Sequence, residues 1–193
     1  MARAFKNSHR GLTCQLEKAE RDLLRGLFED VVTMLEPAPP AAGAVDEDPL
    51  WALVGMDPQA HAEGFAAPTD EAVLRLLPDA VKDDPAASLE FRKLTERPLR
   101  VSKVGALRAA ALAVETSPVV LSPAAAPQFA AALNDVRLVL AKRLGLESDE
   151  DAERVHALDD WGRAETVDEY LALVYNFVTW LQESLMQALH GSL

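Results

Sequence analysis

Few stretches leave a chain less choice than Ser122–Gly145, SPAAAPQFAAALNDVRLVLAKRLG. At helical periodicity Phe129, Leu133, Val136, Val139, Leu140 and Leu144 fall on one broad face, and the other side carries Ala130, Ala131, Leu138 and Ala141. A helix apolar nearly all round has to be covered on both sides, so 122–145 is expected to be the central helix of the fold. Ser122-Pro123 opens it as cap and first-turn proline, Pro127 bends its start, and Gly145 ends it. Within the stretch its polar residues Asn134, Asp135, Arg137, Lys142 and Arg143 have no opposite charge three or four positions away. Once buried, such groups need partners on other elements. Asn134, Asp135 and Arg137 are therefore expected to form a structural polar cluster that ties this helix to its neighbours. Glu90 and Glu169 are the candidate acids for Arg137, and Arg137→Ala would then cost about 3–5 kcal/mol.

The rest of the chain reads as mainly helical. Ala4–Leu16 predicts a small β-hairpin with Phe5, Leu12 and Cys14 on its apolar side and Gly11 at the turn. Three-and-four spacing from Glu17 to Glu36 predicts the first helix. Residues 37–49, PAPPAAGAVDEDP, have no period and predict a mobile acidic, proline-rich loop. PLWALVGM (49–56) predicts one or two helical turns, and Asp57–Pro68 a second loop. Thr69 is expected to cap a short helix stopped by Pro78, and Asp84-Pro85 to open another through Leu94. Thr95 is expected to start a separate helix to Glu115, with Pro98 tolerated in its first turn. Ser117–Leu121 predicts a short strand paired with the hairpin. An acidic helix over 148–160 follows. Last comes a helix over 166–190, opened by the capping box Thr166–Glu169 and long enough to serve as a core wall or a dimer seam. The expected fold is a mainly α single-domain helical bundle, residues 1–193, with a small N-terminal β-hairpin.

Charge is segregated along the chain. The net charge is -12, yet residues 97–145 carry seven Lys/Arg against two Asp/Glu, while 27–96 carry four against fifteen. The simplest arrangement packs the basic middle on the acidic flanks. Arg97, Arg100, Lys103 and Arg108 form a basic stripe that could instead offer a partner surface. The overall negative charge disfavours nucleic acid, and no helix-turn-helix spacing supports it. No apolar run is long enough to span a membrane, and MARAFKNSHRG lacks the apolar run of a signal peptide. A single cysteine, Cys14, excludes an internal disulfide, and the chain reads as cytoplasmic. Cys14 reads first as a small buried hydrophobe. Lys6, His9, Arg10 and Lys18 lie close in sequence and make a redox thiol the alternative.

Signatures of catalysis are missing. There is no GxGxxG, Walker loop, HExxH or GxSxG, and His9, His61, His156 and His190 have no ligand spacing. No catalytic residue, metal or cofactor is expected, and the chain reads as a non-enzyme.

LWALVGM (50–56), LLPDAVKDD (76–84), EFRKLTERPLR (90–100), LNDVRLVLAKRLG (133–145) and YLALVYNFVTWLQESL (170–185) resemble one family. It is the actinobacterial domain-of-unknown-function family two-zero-one-seven, and LNDVRL with its spaced RLG is the most specific part. The resemblance implies a cytoplasmic, mainly helical protein. Family members are often encoded near the Clp adaptor and cysteine-biosynthesis genes, and some are labelled oxidative-stress or transcriptional regulators. A regulator working through an internal disulfide would need a second cysteine, which this chain lacks. The expectation is a regulatory or adaptor protein acting through protein partners, a second copy of itself among them, in stress-responsive transcription. A DNA-binding regulator and a small-molecule sensor with a pocket against LNDVR are the alternatives.

Overall fold

The computed structural model describes residues 2–36 and 67–191, so the expected 37–49 loop and the 49–56 helical turns lie outside the described residues. Strands β1 (Arg3–Ser8) and β2 (Gly11–Gln15) form the hairpin. They are joined through Gly11, whose φ of 107° only glycine adopts without strain. A Cβ there would also collide with the Leu121 carbonyl. Strand β3 (Val119–Leu121) pairs antiparallel with β2, with Leu12 opposite Leu121 and Cys14 opposite Val119. The sheet therefore runs β1-β2-β3 with one face buried.

Helix α1 (Lys18–Leu35) is tied to the sheet by Glu20, whose carboxylate accepts from both Glu17 N and Ala2 N at 2.8 Å. Helix α2 (Glu71–Leu76) is capped by Asp70, one residue later than the expected Thr69, because the aspartate carboxylate reaches Ala72 N at 2.8 Å. Helix α3 runs unbroken over Pro85–Ala113. The expected division at Thr95 is thus corrected: Thr95 Oγ donates to Phe91 O instead of capping, and Pro98 sits inside the helix.

Proline leaves the Leu94 carbonyl without its helical donor. Side chains bracket that gap: Glu96 accepts from Arg92 on one side and from Arg100 on the other, both at i,i+4 spacing.

The helix over the opening stretch, α4 (Ala126–Arg143), starts four residues later than expected. Ser122 instead holds a preceding turn, its hydroxyl accepting from Ala125 N at 3.1 Å. Gly145 (φ 65°) ends α4 in a Schellman motif: Leu146 N donates to Ala141 O and Gly145 N to Lys142 O. Helix α5 (Asp149–His156) is shorter than expected, and a 3-10 turn, Trp161–Arg163, follows it. Helix α6 (Val167–His190) opens with the Thr166–Glu169 capping box. The protein is a mainly α fold with a small antiparallel sheet.

Helix α4 touches α1, α2, α3 and α6, which is why it can be apolar on both sides. Phe129 on α4 meets Phe5 of β1 and Phe28 of α1 edge-on, at ring-centroid distances of 6.0 and 5.9 Å. Helix α6 turns Val174, Val178, Leu181 and Leu185 into this core, so it is a core wall, and the sheet lies against it.

Candidate functional site

Helix α3 has two opposed faces of unexpected character. Its buried residues are Ser88, Arg92, Glu96, Leu107 and Ala110, three of them polar and all in the first half. Its solvent side carries Phe91, Leu94, Pro98, Val101, Gly105, Ala109 and Leu112. At 3.6 residues per turn the two sets lie about 150–160° apart. Leu94, Val101 and Leu112 are 70, 67 and 68% exposed. A surface helix ordinarily turns its polar residues outward. Here the first half of the helix buries Ser88, Arg92 and Glu96 and leaves Phe91 and Leu94 exposed.

The inward charges are held as a network. Arg92, 6% exposed, donates to Glu96 Oε2 at 2.8 Å, to Asp79 Oδ1 at 2.7 Å and to the Leu77 carbonyl at 2.9 Å. Burial alone would lower the arginine pKa, but the bonds from Glu96 and Asp79 outweigh it and hold the guanidinium above its ordinary value. Arg100 donates from Nε to Glu96 Oε1 and from a terminal nitrogen to Leu35 O, both at 2.8 Å. Leu77 caps α2 and Leu35 ends α1, so each arginine satisfies a carbonyl that a helix end leaves free. Arg21 of α1 holds the chain just past α3, donating to Glu115 O at 2.7 Å. The network fixes α3 against the C-termini of two helices and sets which of its faces looks out.

The expected basic stripe divides into two half-buried residues, Arg100 and Lys103, and two exposed ones, Arg97 and Arg108. Arg100 is in this network, Lys103 binds Asp135 of α4 at 2.6 Å, and Arg108 pairs with Glu36. Arg97 remains on the surface. Arg100, Lys103 and Arg108 turn to the sides of α3 on which their acidic partners lie.

The three polar residues of the central helix separate. Asp135 is 3% exposed, and burial pushes its carboxyl above the usual carboxylate range while Lys103 pulls against it. Arg137 is half-buried and donates to Asn134 Oδ1 at 3.3 Å, one turn back on its own helix. Glu90 pairs with Lys93, and Glu169 serves the Thr166 cap, so neither is the acid expected for Arg137. Of the three, Asp135 ties the central helix to a neighbour, as Lys142 and Arg143 also do through Glu71 and Asp70 at the start of α2. Arg137→Ala is accordingly expected to cost about 1 kcal/mol, below the range for a buried pair.

Cys14 is buried, its thiol donating to Arg3 O at 3.0 Å. Burial first, and the charge of Glu20 second, push the thiol up to about 12, which fits the reading of Cys14 as a small buried hydrophobe. Lys6, His9 and Arg10 are exposed, and together with Cys14 they line a cavity of about 350 Å³ beside the hairpin.

Beside the outward face, a cavity of about 370 Å³ opens between α3 and the α2 end, lined by Pro78, Phe91, Thr95 and Leu99 above the Arg92–Glu96 pair. Phe91 and Leu99 make the wall shared by cavity and face. Arg92 and Glu96 were not among the sequence candidates, although the i,i+4 series Arg92–Glu96–Arg100 is their signal. The outward stripe is visible only once 85–113 is one helix.

Two comparisons are silent: no curated protein and no solved structure matches the chain. A family model described as "Domain of unknown function" matches residues 2–189.

Proposed function

The chain belongs to the domain-of-unknown-function family DUF2017, whose model it matches over nearly its whole length, and we propose from its own geometry that it is a non-enzymatic adaptor or regulatory protein. It acts in the cytoplasm through protein contacts, and the outward face of α3 is its docking surface. The observation that carries this reading is the inversion of α3. Phe91, Leu94, Val101 and Leu112 lie in solvent while Arg92 and Glu96 are buried. Exposing a continuous apolar stripe on a rigid helix opposes solubility, and such patches mark binding surfaces. A groove next to the stripe adds room for a side chain from the partner. Stress-responsive transcription is the process in which such an adaptor would serve. The DNA-binding alternative gains no support from Arg100, Lys103 and Arg108, whose charges are met within the chain.

The test is affinity capture with the full chain against Leu94→Glu and Val101→Glu, using Glu183→Arg on the exposed side of α6 as the control. A protein recovered by the wild type and the control, and lost with both α3 variants, is the expected result. Equal recovery by all four chains would show that the partner binds elsewhere.

A further inference from the structure

The outer face of the small sheet is basic, with no acid to meet it. Residues 2–16 contain Arg3, Lys6 and Arg10 and no Asp or Glu, in a chain whose net charge is -12. On the helices cations find acids: Lys103 meets Asp135, Arg108 meets Glu36, Lys142 meets Glu71 and Arg143 meets Asp70. Arg3, Lys6, His9 and Arg10 make no ion pair among the described residues.

Strand register gathers these charges on one side. In the pairing of β1 with β2, Arg3 stands opposite Gln15 and Lys6 opposite Thr13, so three steps of β1 span two of β2. The extra residue is a β-bulge. In a regular strand, residues three apart point to opposite faces. The bulge returns Arg3 to the face that carries Lys6, while Phe5 is buried. Residues opposite one another across strands share a face, and Thr13 is opposite Val120 on β3. That face therefore carries Arg3 and Lys6, then Gln15 and Thr13, then Val120, with His9 and Arg10 at the hairpin turn. Leu12, Cys14, Val119 and Leu121 occupy the buried face behind it. The cavity of about 350 Å³ lies beside these residues, with the exposed Pro118 and Val120 as its apolar wall.

We propose that this face binds an extended acidic segment of a partner protein, with carboxylates at alternate positions. Gln15 and Thr13 are two residues apart, which sets Arg3 and Lys6 about 7 Å from each other along the strand. An extended peptide presents side chains on one face at the same two-residue interval. Carboxylates at positions i and i+2 thus reach Arg3 and Lys6 together. Arginine takes a carboxylate through two parallel N–H donors, and the exposed Gln15 amide stands next to Arg3 to add another. Arg10 continues the basic line toward the turn.

Nucleic acid suits the face less well. No phenylalanine, tyrosine or tryptophan lines the cavity to stack a base, and the aliphatic Pro118 and Val120 stand there instead. The charge of -12 repels a long polyanion, whereas two or three carboxylates are met by three fixed cations. The surface shares no residue with α3, so it stands or falls apart from the docking reading of that helix.

Fluorescence anisotropy on the full chain tests the proposal, with a short fluorescein-labelled peptide of alternating glutamate and valine as probe. Exposed ion pairs are individually weak and screened by salt. Binding should therefore show a dissociation constant on the order of 100 µM at low ionic strength and weaken as salt is added. Arg3→Glu and Lys6→Glu should each weaken it at least about fivefold, and Lys6→Gln by a smaller factor in the same direction. Lys82→Glu makes the same charge change at an exposed cation outside the sheet and should alter binding less than about twofold. These side chains are all exposed, so every variant should keep the wild-type circular-dichroism spectrum. No peptide binding at about 1 mM, or an equal loss with Lys82→Glu, overturns the proposal. Tighter binding of a single-stranded DNA oligomer of equal charge would assign the face to nucleic acid and overturn it as well.

Discussion

Replacing Glu96 with leucine removes the one carboxylate that Arg92 and Arg100 share, while nearly preserving volume. Arg92 is the sensitive partner because it is buried, and it would keep only the Leu77 carbonyl and the half-exposed Asp79. Arg100 suffers less, since its side chain is 21% exposed and can turn to water. Removing one member of a buried pair costs about 3–5 kcal/mol, and the relief open to Arg100 places Glu96→Leu near the lower end, about 3 kcal/mol. For a chain of this length that corresponds to a fall in Tm of about 6–12 °C. Urea unfolding at neutral pH, followed by far-ultraviolet circular dichroism, measures it. The double variant Arg92→Met/Glu96→Leu takes both buried charges away, and a paired replacement of this kind is far milder than a single one. Its cost should fall below the sum of the single costs by about 2 kcal/mol. A single loss under about 1 kcal/mol, or strict additivity, would refute the claim that this network holds α3 in place.

Three other outcomes follow from the same physical chemistry. Lys103→Met should cost about 3 kcal/mol at neutral pH because it strands the Asp135 carboxylate. Since that carboxyl then titrates above its unfolded value, the deficit should shrink as pH falls through the raised pKa and the group becomes neutral; a deficit that grows on acidification would contradict this. The Asp151 carboxyl is lowered from 3.8 to about 2, first by Glu147 N–H and then by the Ser148 hydroxyl and N–H. Its contribution to the start of α5 should be intact above 3.8 and lost as pH falls through about 2, seen as loss of amide-exchange protection in α5 before the core. Cys14, raised from 9.0 to about 12, should resist alkylation in the folded chain at mildly alkaline pH. The thiolate fraction there is lower by a factor on the order of 10³, so prompt labelling of the native protein would show the thiol to be open.

Much of the architecture can be read from local signals. The Thr166–Glu169 and Ser148–Asp151 boxes, Asp84-Pro85, and the glycines at positions 11 and 145 each fix an element boundary through chemistry that needs only neighbouring residues. The apolar girdle of 122–145 likewise required a covered helix, and α4 is one. What escaped depends on residues brought together by the fold. Pro98 is a local stop signal, overruled by side chains that span it and by the contacts of α3 with α1 and α4. Lys103 and Asp135 are 32 positions apart, and only the crossing of α3 over α4 makes them a pair. Arg137 follows the reverse course. The apolar girdle predicts full burial for Arg137, whereas two positions of rotation, about 200°, put it on the far side of α4 from Asp135, half-buried and satisfied by Asn134. The outward stripe of α3 was hidden for a similar reason: dividing the helix at Thr95 breaks a series that is continuous from Phe91 to Leu112.

The claim on which the functional account rests is that this stripe is open in the monomer and covered by a partner. Hydroxyl-radical footprinting measures that directly at Phe91, Leu94, Val101 and Leu112, with buried Leu107 and Leu133 as internal references. In dilute solution the four should react readily while the references do not. With a captured partner their reactivity should fall together. Four side chains already protected in the dilute chain, or equally reactive under every condition, would contradict the account.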